Sequence, residues 1–276
     1  MLLVSIAVSA VVVAITACMS LLFFDRRLEQ TTWDLLAARS KRSDIAYSSE
    51  LVAHLPEPAR RYFDFSIAQG TPLSGAVTLR MEGQLGLGSK LDPNYRNMRA
   101  SQILAPPYGL VWRVDMGALS GSDGCSPENS WTRFRLFGLI PVVRAGGNPD
   151  HHRSAFGRVV AEGTFWVPAF LLLHDGVVWE SLDENSVRAT IVFGAFTQSV
   201  DIEVGETGQP QQVVIQRWSN ENVEKVFREQ PFGGYLSDFK DFSGYQLPTT
   251  VEGGNHFGSD SYFPFYKASV TEVHVT

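Results

Sequence analysis

The sequence predicts a mainly β, α+β protein. It reads as one strongly curved antiparallel sheet of about ten strands wrapped over two or three helices, preceded by an N-terminal transmembrane helix. Three observations predict this. An uncharged apolar run fills residues 2–24. Short segments of alternating polarity, joined by Gly, Pro and Asn turns, run from about residue 75 to the C-terminus. One helical block, residues 148–172, interrupts that series.

The run LLVSIAVSAVVVAITACMSLLFF spans Leu2 to Phe24. As a helix it covers about 35 Å, enough to cross a bilayer with some tilt. It lacks the basic n-region and short apolar core of a cleaved signal peptide. Ile15-Thr16-Ala17-Cys18 resembles a lipobox, but Met19–Phe24 stays apolar where a mature lipoprotein turns polar. The expected organisation is an uncleaved single-pass anchor over 1–25, a juxtamembrane linker over 26–50 and one curved-sheet domain over 51–276. Trp33, Leu35 and Leu36 suggest a short interfacial helix within the linker. Arg26, Arg27, Arg39, Lys41 and Arg42 follow the run and no Lys or Arg precedes it. The positive-inside rule then places the domain in the cytoplasm.

Leu55–Gly70 reads as a helix with Pro58 in its first turn, one face of Ala59, Tyr62, Phe63 and Ile67, and Gly70 as its end. The first strand, GAVTLRMEGQL, alternates Val77, Leu79 and Met81 against Thr78, Arg80 and Glu82. The segments after it are short and mostly joined by short turns, so the sheet should be antiparallel and meandering. GALSGSDG (Gly117–Gly124) reads as a hairpin loop, because it is small and flexible and lies between strands. NSWTRFRLFGLIPVVR reads as a single strand segment, and DFSGYQLPTTVEG (Asp241–Gly253) as a hairpin turning at Gly244.

In the central block, Asn148 is an N-cap, Pro149 takes the first helical position and Asp150 lies in the first turn. Ala155, Phe156, Val159 and Val160 form a stripe, Arg153, Arg158 and Glu162 face away from it, and Gly163 ends the helix. EGTFWVPAFLLLHD follows with Pro168 opening one or two apolar turns. Both pieces need covering, and a curved sheet with one apolar face supplies the cover. Large apolar side chains are most often plain core, so Phe165, Trp166, Phe170 and Leu171–Leu173 have that reading beside a pocket wall.

A hydrophobic content of 44% and an aromatic content of 12% exclude a disordered chain. The net charge of −6, with Lys and Arg scattered, argues against nucleic acid as a partner. Cys18 and Cys125 lie in unlike contexts, so no disulfide is expected, and no CxxC or Cys/His cluster suggests zinc. Asp150, His151 and His152 are adjacent, whereas helical metal ligands sit at i and i+4. No GxSxG or Walker motif is present, and GQLGLG is followed by no helix, so it is not a dinucleotide fingerprint. No cofactor, metal or catalytic residue is assigned.

Several segments in order carry a resemblance. Leu55-Pro56-Glu57-Pro58 runs on to Arg61-Tyr62, and Pro107–Val114 forms a Trp-bearing strand. Gly138–Val143 precedes a helix that closes in Glu162–Leu172, and Pro231–Gly253 is followed by Tyr266–Val273. On these segments the chain resembles a bacterial membrane-associated family of unknown function, over most of residues 55–276. Gly163-Thr164 and Cys125 depart from its pattern. The resemblance implies no reaction, catalytic set or cofactor. The Pro231–Gly253 hairpin with its following strand is also similar to the lipoprotein-carrier group of bacterial envelope proteins. That similarity implies a curved sheet closed by helices over a hydrophobic cavity, and an extracytoplasmic domain, against the charge rule.

The leading expectation is a membrane-anchored binding domain for an apolar or lipid-like ligand, with Trp112, Phe156, Trp166, Phe170 and Leu172 as its walls. One alternative is a membrane protein-interaction module with a solid core, acting on a protein partner. Another is a hydrolase assembled in space around His152, Glu162 or Asp183.

Overall fold

The computed structural model describes residues 2–39 and 43–275. Lys41 and Arg42 of the basic cluster lie outside the described residues. Helix α1 (Leu2–Ala37) leads without a break from the apolar run through residues 26–37, half of the stretch expected as a linker. Its apolar part is long and apolar enough to span a membrane. A 3₁₀ turn (Ser49–Val52) and α2 (Glu57–Ser66) follow. In α2, Pro58 falls in the first turn, where its missing N–H costs nothing, and Tyr62 and Phe63 are fully buried.

Strands β1 (Val77–Gly86), β2 (Tyr95–Ala105), β3 (Gly109–Met116), β4 (Leu119–Cys125), β5 (Ser130–Leu136) and β6 (Ile140–Gly146) form one antiparallel meander. Helices α3 (Pro149–Trp166) and α4 (Phe170–Leu173) then carry the chain across. A second meander returns through β7 (Val177–Ser181), β8 (Ser186–Phe193), β9 (Phe196–Val204), β10 (Pro210–Ser219), β11 (Arg228–Phe242), β12 (Tyr245–Asn255) and β13 (Phe263–Val275). β13 pairs with β1, with Val77 opposite Val275, and joins the two meanders. The result is one open, curved sheet in the order β6-β5-β4-β3-β2-β1-β13-β12-β11-β10-β9-β8-β7.

The sheet has 13 strands where the sequence suggested about ten. Two of the additional strands come from dividing long segments. NSWTRFRLFGLIPVVR is the β5–β6 hairpin, turning at Phe137 (φ 51°) and Gly138 (φ 69°). A Phe in the left-handed region is not the Asn-Gly or Gly-Gly signal that marks such turns, so the segment reads as continuous. The segment that holds β11 and β12 divides at Ser243 (φ 58°) and Gly244 (φ 92°), the hairpin turn expected at Gly244. The third addition is β4, which replaces the loop expected over Gly117–Gly124. Its glycines lie opposite aromatic residues, Gly121 opposite Phe134 and Gly124 opposite Trp131. A Cβ on Gly124 would stand 2.1 Å from the Trp131 ring, so the ring occupies the space that the glycine leaves.

The inner face of the sheet carries the main core. Leu79, Leu104, Val187, Ile202 and Leu247 are fully buried there with Val159, Val160 and Ala169 of the helices. Alternation along the same strands turns Ile103, Val111 and Trp131 outward, where they would face water. They are buried instead beneath Leu28, Trp33 and Leu36 of α1, so α1 docks on the outer face. The helix-ending role expected of Gly163 is not what the structure gives: α3 continues to Trp166. A Cβ on Gly163 would meet Pro106 Cγ at 2.8 Å and Phe170 Cε1 at 2.9 Å, so the residue permits close packing inside the helix.

Candidate functional site

Asn148 caps α3, its side chain accepting from the His151 N–H at 2.9 Å. α3 packs against the inner face, mainly against β10 and β9. Arg158, Ala161, Glu162, Phe165 and Trp166 recur at helical spacing and form one face of α3. That face does not close on the sheet. A cavity of ≈ 330 Å³ remains between it and Leu85, Trp112, Val213, Leu236 and Val251. Glycines keep part of this wall low. Gly234 lies opposite Gly253 across β11 and β12, and a Cβ on Gly253 would find nothing nearer than Gly233 O at 3.7 Å.

Arg158 and Glu162 were expected to face away from the core. They point into the cavity instead, because the curved sheet covers more of α3 than the Phe156–Val160 stripe. Arg158 donates from Nε to Glu162 Oε1 at 2.6 Å and from Nη1 to Asp123 Oδ2 at 2.9 Å. Gln102 Nε2 donates to Glu162 Oε2 at 2.6 Å. Burial opposes the charge on Arg158, but Glu162 and Asp123 outweigh it and hold the guanidinium above its ordinary value. The result is a paired polar floor beneath apolar walls.

Arg217 is the second cavity arginine, and it is less compensated. Its Nε reaches the Ser154 carbonyl at 3.3 Å and Ser154 Oγ at 3.2 Å, and its guanidinium lies 4.8 Å from the Phe232 ring centroid. Burial, followed by the neighbouring Arg158, pulls its pKa down to about 10, so it remains charged at neutral pH. Three further polar atoms, Gln102 Oε1, Trp112 Nε1 and Asp123 Oδ1, are buried with no hydrogen-bond partner among the described residues. Tyr266, whose hydroxyl points at Met81 Sδ, has its pKa raised by burial and then by Glu162.

The structure brings Trp112 and Trp166 together in the cavity wall. Phe156 lies elsewhere, stacked on Phe196 at 5.2 Å and Phe193 at 6.4 Å. Phe170 is buried in α4 against Gly163, and Leu172 is half-buried against the main core. Spacing on α3 held a signal for Arg158 and Glu162, an i,i+4 charge pair within an apolar helix. Nothing local marked Asp123 or Arg217, which reach the cavity only through the fold of β4 and β10.

The residues weighed for hydrolysis do not converge. His152 bonds the Ser126 carbonyl at 2.7 Å, Glu162 belongs to the cavity floor, and Asp183 accepts from the Asn185 N–H in the β7–β8 turn. Among the described residues, no group of three or more His, Cys, Asp or Glu side chains could hold a metal ion. His151 sits between Ser130 Oγ at 2.8 Å and Thr132 Oγ1 at 3.1 Å. Burial lowers its pKa, helped by Arg217 and His152 and opposed by Asp123. The unfolded ring titrates near about 6.5, so below that pH the unfolded chain binds the extra proton first. The stability His151 contributes is therefore present above about pH 6.5 and is lost as pH falls through the folded value. His151→Asn should lose less of its urea midpoint than the wild type between about pH 7.5 and 5.5.

Residues 46–268 match the family of unknown function DUF6544, and the chain belongs to that family. No curated protein matches it. A LolA superfamily protein from Nitrosomonas europaea is similar in structure, at 12% identity and a TM-score of 0.41, over 79% of this chain and 92% of that one. So is a domain described as an outer membrane lipoprotein-sorting protein from Vibrio parahaemolyticus, at 11% identity and a TM-score of 0.38, over 82% and 91%.

Proposed function

We propose that the chain is a membrane-anchored binding domain that holds an apolar or lipid-like ligand between the sheet and α3, with α1 as its anchor. The observation that carries this is the cavity of ≈ 330 Å³, which the protein's own large side chains leave open. Its size lies in the range of about 300–1,000 Å³ usual for small-molecule sites. Trp112, Phe165, Trp166 and Leu236 line it, and each methylene that they take from water contributes about 0.8 kcal/mol. Because Arg158 is committed to two carboxylates, Arg217 is, among the described residues that line the cavity, the cation left for the polar end of a ligand. No reaction is assigned to the site.

The test compares the full chain with Gly253→Leu, which fills the cavity where an added side chain meets little else. Both are purified in detergent, exchanged exhaustively, denatured and analysed by mass spectrometry. A lipid retained at one equivalent by the wild type and lost from Gly253→Leu is the expected result. Equal lipid content in both would assign it to the surface of α1 and sink the cavity reading.

A further inference from the structure

Contacts along α1 fix its direction on the sheet. Arg39, just past the end of α1, lies 3.7 Å from the Tyr108 ring centroid in the β2–β3 turn. Farther back along α1, Glu29 bonds Arg113 of β3 at 2.5 Å. Farther still, Asp25 binds Arg144 at 2.6 and 2.9 Å and is bonded by Arg135 and Arg133. Arg135 is next to the last residue of β5. The apolar part of α1 therefore projects past the end of the sheet that carries the β3–β4 and β5–β6 turns.

Those two turns are uncharged. Met116–Leu119 and Leu136–Val143 (LFGLIPVV) contain no ionisable residue. They are joined by the Phe137 N–H, which donates to the Ala118 carbonyl at 2.7 Å. Phe137, Ile140 and Val142 are 75%, 50% and 52% exposed, an unusual state for apolar side chains clustered on a tip. Arg135 and Arg144 bracket the second run and both hold Asp25, so the tip lies beyond Asp25 in the direction of the apolar helix. At about 3.3 Å per strand residue and 1.5 Å per helix residue, it stands roughly level with the last two turns before Asp25. From Val4 to Phe24 every residue of α1 is exposed except Cys18 and Leu22. Both continue the helical stripe of Asp25, Glu29 and Thr32 that faces the domain.

We propose that the β5–β6 tip, with the β3–β4 turn, is a second membrane contact, seated in the bilayer interface beside α1. This rests on α1 spanning a bilayer. The cavity residues Leu87, Phe232 and Phe265 lie at the same end of the sheet, so its rim faces the membrane and an apolar ligand passes between them without crossing water.

The full chain carrying Cys18→Ala is reconstituted in phosphatidylcholine vesicles whose acyl chains are brominated. A fluorophore is placed at Phe137→Cys or Ile140→Cys, with Val12→Cys as the anchor reference and Glu206→Cys, in the exposed turn at the opposite end of the sheet, as the aqueous reference. Cys125 is buried with its thiol pushed up to about 12, and it stays unlabelled. The expected result is bromine quenching at 137 and 140 several-fold above that at 206 and similar to that at 12. Quenching at 12 with background values at 137 and 140 overturns the second contact and leaves the anchor. Background at 12 as well overturns both. Labels at 137 and 140 shielded from bromolipid and from aqueous iodide alike mean a protein covers the tip, which also overturns it.

Discussion

Arg158→Met is expected to destabilise the domain by about 3–5 kcal/mol, the usual cost of removing one member of a buried ion pair. The replacement keeps most of the volume, so no large cavity contributes to the loss. What it leaves is Glu162 and Asp123, with side chains 13% and 28% exposed, facing each other without their shared cation. Gln102 satisfies only one Glu162 oxygen. A triple variant, Arg158→Met with Glu162→Gln and Asp123→Asn, should recover much of the loss, because removing both stranded charges relieves the penalty. Urea unfolding of the three proteins measures this directly. A loss below about 1 kcal/mol for the single variant would mean that water in the cavity already screens the carboxylates. That result would favour a wetter and more polar ligand than an acyl chain.

Asp25→Asn should release the C-terminal third of α1 from the sheet. Its carboxylate is 8% exposed and shared among Arg133, Arg135 and Arg144, so neutralising it leaves three guanidinium groups in mutual repulsion. The expected cost is again about 3–5 kcal/mol, but it is local to the docked helix. Hydrogen exchange should quicken across residues 26–37 while amides of β12 and β13 keep their protection. Arg144→Ala makes a useful contrast. Its side chain is 45% exposed, and such a pair contributes about 0–1 kcal/mol. Unchanged protection in Asp25→Asn would assign the docking to the apolar contacts of Leu28, Trp33 and Leu36 together with the Glu29–Arg113 pair.

Both variants probe features that were only partly legible in the chain. Arg158 and Glu162 sit four residues apart on a helix, a pattern that usually means a solvated face. Their inward position follows from how far the sheet wraps around α3. Asp25 reads as the polar end of an apolar run. Its three arginine partners come from β5 and β6, more than a hundred residues later. β4 shows the same limit at the level of secondary structure. GSDG has the composition of a loop, and pairing with β3 and β5 makes it a strand, with the Phe134 and Trp131 rings lying over Gly121 and Gly124.

The sequence by itself determined the apolar N-terminal segment, the starts of α2 and α3, and the succession of antiparallel strands. Each depends on periodicity, a cap or a proline within a few residues, and such signals act locally. Only the tertiary structure decided the pairing of β1 with β13, the docking of α1 on the outer face, and the cavity that α3 leaves open. These arise where surfaces from distant strands meet, and whether two apolar faces close or leave a space depends on shapes that no local pattern records.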